Sequence, residues 1–213
     1  MPTLAFDTSS AISVAVLSGE AILAHDSVFA PRGHAELLTP MIKDVLSRAG
    51  AANGEGIEAV VVGTGPAPFT GLRVGLVTAQ TLALAWGIPV VGVCSLDAMG
   101  AAHGGAVTVV ADARRREVYW ARYEGGERVE GPAVSFPGDV PASQGAIVGR
   151  GAALYPEVFG DPPPESAWHP DPAWLARVAA RRVAGGALAS GAPVSGVEPL
   201  YLRRPDVHRA ATP

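Results

Sequence analysis

Two aspartates in this chain stand where a strand-end turn could handle phosphate. Asp7 follows the strand-like run Thr3-Leu4-Ala5-Phe6 and precedes Thr8-Ser9-Ser10. Such a turn presents hydroxyls and backbone N–H groups to a phosphate, while the carboxylate holds a metal ion or a water. The same residue types also close plain β-turns through their own side chains. Asp112 ends a second strand-like run, Val107–Ala111, and is followed by Ala113 and Arg114-Arg115-Arg116. The matching places of the two aspartates strengthen the phosphate reading. Asp7, Thr8, Ser9, Asp112 and Arg114 are read as phosphate-loop positions, vestigial because no catalytic constellation accompanies them.

Other candidates fall away on residue type. Gly63-Thr64-Gly65-Pro66 has the look of a phosphate loop but no lysine, and Pro66 and Pro68 each remove a backbone donor. Pro68 also stands where a dinucleotide fingerprint needs its third glycine, so this stretch reads as a rigid turn. The histidines His25, His34, His103, His169 and His208 are nowhere paired at metal-binding spacing, and the single cysteine, Cys94, lies near none of them. No metal and no cofactor are expected. Cys94 ends a buried-looking strand and reads as a small core residue. Arg114-Arg115-Arg116 reads as a solvated hairpin tip or as a contact to phosphate or an acidic partner.

The elements that would position these residues follow from periodicity. Ile12–Val16 alternates as a half-buried strand does, Gly19-Glu20 makes a turn, and Ala21–His25 returns as a third strand. A helix is predicted from His34 to Arg48, with an apolar stripe of Leu37, Leu38, Met41, Ile42, Val45 and Leu46. Pro40 inside it is expected to kink the helix or restart it after Thr39. Ala59–Val62 is a buried strand, and Thr70 is expected to cap a second helix that ends at Trp86 before Gly87. Val90–Val93 is a further strand. The opening pattern recurs as strands over Val107–Ala111, Glu117–Tyr123 and Glu127–Val134, the last interrupted at Gly131-Pro132. Pro172 to Ala184, started by Asp171, is the one long helix expected in this second half. The chain thus reads as a duplicated β-β-β-α-β-α unit whose second copy is reduced. A Gly- and Ala-rich boundary near residues 97–106 divides a first lobe (1–100) from a smaller second one (101–213), whose tail packs back on the first.

The helix after Thr70 carries a single charge, Arg73, and apolar residues on nearly every face. A helix of that kind is normally covered on most sides. Gly71, Gly75 and Ala79 recur every fourth residue and leave one edge bare. Either the sheet covers the helix within the monomer, or the sheet covers one side and a partner subunit the other. The wide stripe of the first helix weakly favours the second arrangement.

Composition bounds the class. The chain has 213 residues, 48% apolar and 17% charged, which suits a globular protein with a sizeable core. The net charge of -4 argues against a protein that grips nucleic acid alone, since phosphate neutralisation needs a basic surface. One cysteine excludes an internal disulfide framework. No signal peptide and no membrane span are evident, so a cytoplasmic protein is expected.

Taken together, several stretches resemble the TsaB family. They are Leu4-Ala5-Phe6-Asp7-Thr8-Ser9, Gly63-Thr64-Gly65-Pro66, Phe69-Thr70-Gly71-Leu72-Arg73-Val74-Gly75, Gly92–Ala98, Asp112-Ala113-Arg114, Glu117-Val118-Tyr119 and Pro199–Pro205. The Phe69–Gly75 stretch is the most diagnostic. Ala67-Pro68 departs from the Gly-Ser-like pair usual in the family. The resemblance implies a two-lobed α/β fold of the actin-like, RNase-H-like (ASKHA) type. It also implies a non-catalytic dimerisation and activating subunit beside the catalytic subunit TsaD, which transfers threonylcarbamoyl to an adenosine next to the tRNA anticodon. An ATPase, TsaE, joins the same assembly, and tRNA is met through the complex. By position, the implied partner surface is carried by His34, Leu37, Leu38 and Met41 of the first helix and by Gly71, Arg73, Val74, Gly75, Val77, Thr78 and Thr81 of the second. A homodimer is expected in isolation. The competing reading is an active ATPase or small-molecule kinase, which needs Asp7 and Asp112 facing one cleft. A metal-dependent peptidase is least consistent, because the His pair of TsaD-like relatives is missing.

Overall fold

The structure, a computed structural model, describes residues 1–30, 33–143, 145–185 and 194–203, with the side chains of Val194 and Ser195 left aside. His208, Arg204 and Pro205 lie outside the described residues. The first lobe opens with strands β1 (Pro2–Asp7), β2 (Ile12–Ser18) and β3 (Ala21–Val28), an antiparallel meander. Helix α1 (His34–Arg48) crosses to β4 (Ala59–Gly63), which pairs parallel with β1. Every residue of β4 is buried, as its unbroken apolar run requires of a central parallel strand. Helix α2 (Phe69–Trp86) leads to β5 (Val90–Val93) and α3 (Ser95–Ala101).

The second lobe repeats the meander with β6 (Val107–Asp112), β7 (Val118–Glu124) and β8 (Glu127–Ser135). Then follow β9 (Ala146–Val148), parallel to β6, and the short helices α4 (Arg150–Leu154) and α5 (Pro156–Phe159). Helix α6 (Pro172–Ala184) and the short strand β10 (Val194–Ser195) complete the elements. The sheets are ordered β10-β5-β4-β1-β2-β3 and β8-β7-β6-β9. In each, the first strand of the meander sits between the second strand and a parallel neighbour. This is the duplicated, two-lobed actin-like α/β architecture, with a second copy that lacks long helices of its own among the described residues.

Helix α6 stands apart from the copy in which it was expected. Ala173, Leu175, Val178 and Ala179 pack on the first sheet with Ala5, Ala15, Val61 and Val91. Asp171 caps it by accepting from the Ala173 N–H at 2.8 Å, and β10 joins the same sheet. The first lobe is therefore a three-layer sandwich, with α1 and α2 over one face of the sheet and α3 and α6 over the other.

Three local expectations change. Helix α1 runs unbroken through Pro40, because Pro40 lies on the exposed side where the unpaired Glu36 carbonyl meets water. Helix α2 starts at Phe69 with Pro68 as its N-cap, so Thr70 lies within the first turn and does not cap it. Strand β8 continues through Gly131-Pro132, with register shifts opposite Trp120, Arg122 and Tyr123 absorbing the irregularity. Gly131 has φ 84, and a Cβ there would press on the Trp120 carbonyl oxygen at 2.8 Å. Only glycine fits both conditions.

Candidate functional site

The two strand-end aspartates form matching turns. Asp7 Oδ1 accepts from the Ser9 N–H at 2.7 Å, and Asp112 Oδ1 accepts from the Arg114 N–H at 2.7 Å. Their surroundings differ. Asp7 is 0% exposed, and its carboxylate also accepts from Ser9 Oγ at 2.5 Å and Ser95 Oγ at 2.5 Å. Burial raises its pKa above the usual carboxylate value, against the pull of the Ser9 and Ser95 hydrogen bonds. Gly63 abuts the second carboxylate oxygen so closely that no Cβ fits between them.

The hydroxyls of the turn are likewise engaged. Thr8 Oγ1 donates to the Gly71 carbonyl at 2.9 Å, Ser9 Oγ to Asp7, and Ser10 Oγ shares a hydrogen with His169 Nδ1 at 2.7 Å. In the Gly63–Pro68 loop, the Thr64 N–H donates to the Val93 carbonyl at 2.8 Å and the Gly65 N–H to Ser95 Oγ at 3.1 Å. Pro66 and Pro68 have no donor to give. This loop is a structural turn, and Ser95 ties it to Asp7.

The two turns meet at a cleft between the lobes, with a volume of about 530 Å³. Thr8, Ser9, Ser10, His34, Asp112 and Arg114 line it; Asp7 does not. Arg114 folds back onto Asp112, with Nη1 3.1 Å from Oδ2. Arg114, Arg115 and Arg116 hold left-handed φ angles of 62, 54 and 64. Such a conformation costs about 1–2 kcal/mol per non-glycine residue, so the surrounding structure must hold this turn in place. The cleft is bridged by Arg150, whose guanidinium lies 4.2 Å from the centre of the Phe29 ring, which in turn stacks on His169 at 5.2 Å. Burial, then the Arg150 charge, lowers the His169 pKa to about 4. Burial also lowers that of His34 against the opposing pull of Asp7.

A nucleotide-bound metal of the kind actin-like ATPases use does not fit this donor set. Asp7 is sealed by Ser9, Ser95 and Gly63, and Asp112 is tied to Arg114. Among the described residues no group of three His, Cys, Asp or Glu could hold a metal ion. Cys94 is buried and its thiol pushed up to about 12, first by burial and then by Asp97, so it is no nucleophile. No helix among the described residues is long and apolar enough to cross a membrane.

The positions expected on the partner surface divide into three groups. Leu38 and Gly75 are buried inside the lobe and cannot themselves touch a partner. Leu38 is 0% exposed in the core, and a Cβ at Gly75 would collide with Thr8 Oγ1. The bare edge of α2 therefore faces inward, where it admits the Asp7 turn. Gly71, Val74 and His34 line the cleft, with Gly71 against the Thr8 carbonyl and the His34 ring. Thr78 is partly buried at the border. Leu37, Arg73, Val77 and Thr81 are exposed, and Met41 is half-buried beside Leu37. Val77 is 59% exposed, and Leu84, on the same stripe, is 85% exposed.

Leu84 was not singled out from the sequence. Its signal is its spacing of seven residues from Val77, opposite the inward stripe Leu72, Leu76, Ala79 and Ala83. Phe69 and Tyr201 were also missed. Their rings stack at 4.6 Å, Arg73 lies 3.7 Å over Phe69, and its Nε donates to Tyr201 Oη at 3.0 Å. With the Leu200 N–H donating to the Thr64 carbonyl at 2.9 Å, this stack straps the tail to the start of α2.

A family model described as TsaD, tRNA N6-adenosine threonylcarbamoyltransferase, matches residues 28–142. An uncharacterized protein of Mycobacterium tuberculosis is 48% identical over 175 residues, covering 82% of this chain and 77% of that protein. The tRNA threonylcarbamoyladenosine biosynthesis protein TsaB of Escherichia coli is 40% identical over 130 residues, 58% of this chain and 55% of that protein. The chain spans about half the length of the curated TsaB relatives it matches. The solved structure of YeaZ from Pseudomonas aeruginosa aligns with a TM-score of 0.77 at 30% identity, covering 94% of this chain and 99% of that one.

Proposed function

The chain belongs to the TsaB (YeaZ) family, and we propose that within it this protein is the non-catalytic dimerisation and activating subunit of a tRNA threonylcarbamoyl-transfer complex. In this reading it stabilises a TsaD-type catalytic subunit, helps recruit a TsaE-type ATPase, and meets tRNA through the assembly. The product is threonylcarbamoyl on N6 of the adenosine next to the anticodon, in tRNAs that read codons beginning with A. Alone, the chain forms a homodimer through the same surface.

One observation carries the proposal. The outward stripe of α2 leaves Val77 and Leu84 more than half exposed, and α1, which contacts α2, leaves Leu37 exposed and Met41 half-buried. Large apolar side chains grouped on neighbouring helices mark a surface that a partner covers. The sealed Asp7 turn supports the non-catalytic half of the reading, because its acceptors are engaged inside the protein.

Reconstituted threonylcarbamoyl transfer to tRNA tests it. Omitting this chain is expected to abolish modification, and adding it back to restore modification. Asp7→Asn, folded and present at the wild-type level, retains activity, whereas a Val77→Asp, Leu84→Asp pair does not. Loss of activity in folded Asp7→Asn with partner binding intact would assign the turn a chemical role.

A further inference from the structure

Two arginines from distant parts of the chain converge on one buried carboxylate, and a third lines the hollow beside it. Asp97 of α3 is 4% exposed. Its Oδ2 accepts from Arg182 Nη2 of α6 at 2.5 Å, and its Oδ1 accepts from Tyr123 Oη at 2.9 Å. Arg128 at the start of β8 places Nε 3.6 Å from Oδ1. These groups, with Arg181 and Glu127, line a hollow of about 310 Å³.

Asp97 cannot satisfy all these donors. A guanidinium carries about five N–H groups, and a carboxylate has about four acceptor positions, one of them here taken by Tyr123. Arg182 reaches Asp97 through one nitrogen only, and among the described residues Arg181 has no ion-pair partner. Placement at the end of α6 accounts for Arg181 and Arg182 through the helix dipole. It does not account for Arg128, which comes from the other lobe. The buried Asp97 thus holds two guanidiniums that line a concave site, and it cannot satisfy all of their N–H groups. Three arginines against Asp97 and Glu127 leave the site positive, in a chain whose net charge is -4.

We propose that this hollow binds a phosphate group, held by Arg128, Arg181 and Arg182 with Asp97 as the positioning residue. Planar guanidiniums in a fixed fork are the side chains suited to phosphate oxygens. The phosphate comes from an RNA backbone or from a free phosphate compound. The proposal stands independently of the partner surface, which lies on α1 and α2.

Calorimetric titration of the full chain with inorganic pyrophosphate, and separately with unfractionated tRNA, tests it. At least one probe is expected to bind, with affinity that falls as salt is raised. Arg181→Glu, which breaks no described ion pair, is expected to weaken binding roughly tenfold, the worth of one charge-assisted hydrogen bond, at an unchanged melting temperature. Arg114→Glu in the interlobe cleft is expected to leave it unchanged. Pyrophosphate binding alone identifies a free phosphate compound as the source; tRNA binding displaced by pyrophosphate identifies the RNA backbone. The proposal is overturned if neither probe binds, or if binding survives Arg181→Glu and Arg128→Ala at wild-type strength, whatever Arg114→Glu does.

Discussion

Helix α2 has two long faces, and they behave in opposite ways. The inner face, Gly71, Gly75 and Ala79 with Leu72 and Leu76, presses on the Asp7 turn and the core. It leaves no room, and the carboxylate and each hydroxyl of the turn have a partner inside the protein. The outer face carries Val77 and Leu84 into solvent. Both faces carry apolar residues, so apolar character alone does not tell them apart. Close approach of the helix seals the strand-end turn inside the lobe, while the reverse side leaves large apolar side chains uncovered. In the proposed reading the first is scaffold and the second is the partner surface.

That contrast can be broken at several points. Asp7→Ala is expected to have the largest effect on stability. It removes the acceptor for Ser9 and Ser95, and should cost about 2–4 kcal/mol in a urea titration. Asp112→Ala, in the matching turn, serves as its control at about 0.5–1 kcal/mol, because that carboxylate is partly exposed and its ion pair with Arg114 reaches solvent. Equal losses would mean that burial does not separate the two turns. Next comes Gly75→Val, which forces a side chain into Thr8 and should cost about 1–3 kcal/mol. A neutral result would place this edge on the outside of the lobe.

Burial of His169, with the nearby Arg150 charge, makes the Ser10–His169 contact pH-sensitive. The folded-state pKa of His169 is lowered to about 4 from the model-peptide value of 6.5. Between these values the unfolded chain binds more protons, so stability should fall as pH drops from 6.5 toward 4 and stay level above. His169→Gln should lose that part of the slope, measured by melting temperature across the same range. Smallest of all in stability is Leu84→Ser on the outer face, expected within about 0.5 kcal/mol of wild type.

Much of the fold was legible in the sequence because its signals are local. The alternation of Ile12–Val16, the apolar run of Ala59–Val62 and the Asp171-Pro172 start of α6 each settle an element without distant help. The failures lie where tertiary packing decides. Ser95–Ala101 has no amphipathic stripe because all seven residues are buried, so the sequence reads as a lobe boundary where a helix stands. The orientation of α2 was illegible for a related reason. An apolar pattern on nearly every side leads one to expect a covered helix, but does not say that Gly75 meets Thr8 while Leu84 meets water. The Asp97–Arg182 bond joins residues 85 apart, and no spacing rule points to it.

The central claim is that the outer face of α2 is the functional surface while the Asp7 turn is architecture. Light scattering on size-exclusion chromatography, with and without a TsaD-type subunit, tests it most directly. Wild type is predicted to run as a dimer alone and as a complex with the added subunit. The Val77→Asp, Leu84→Asp pair is predicted to run as a folded monomer in both cases. Association of that pair at wild-type strength would contradict the account.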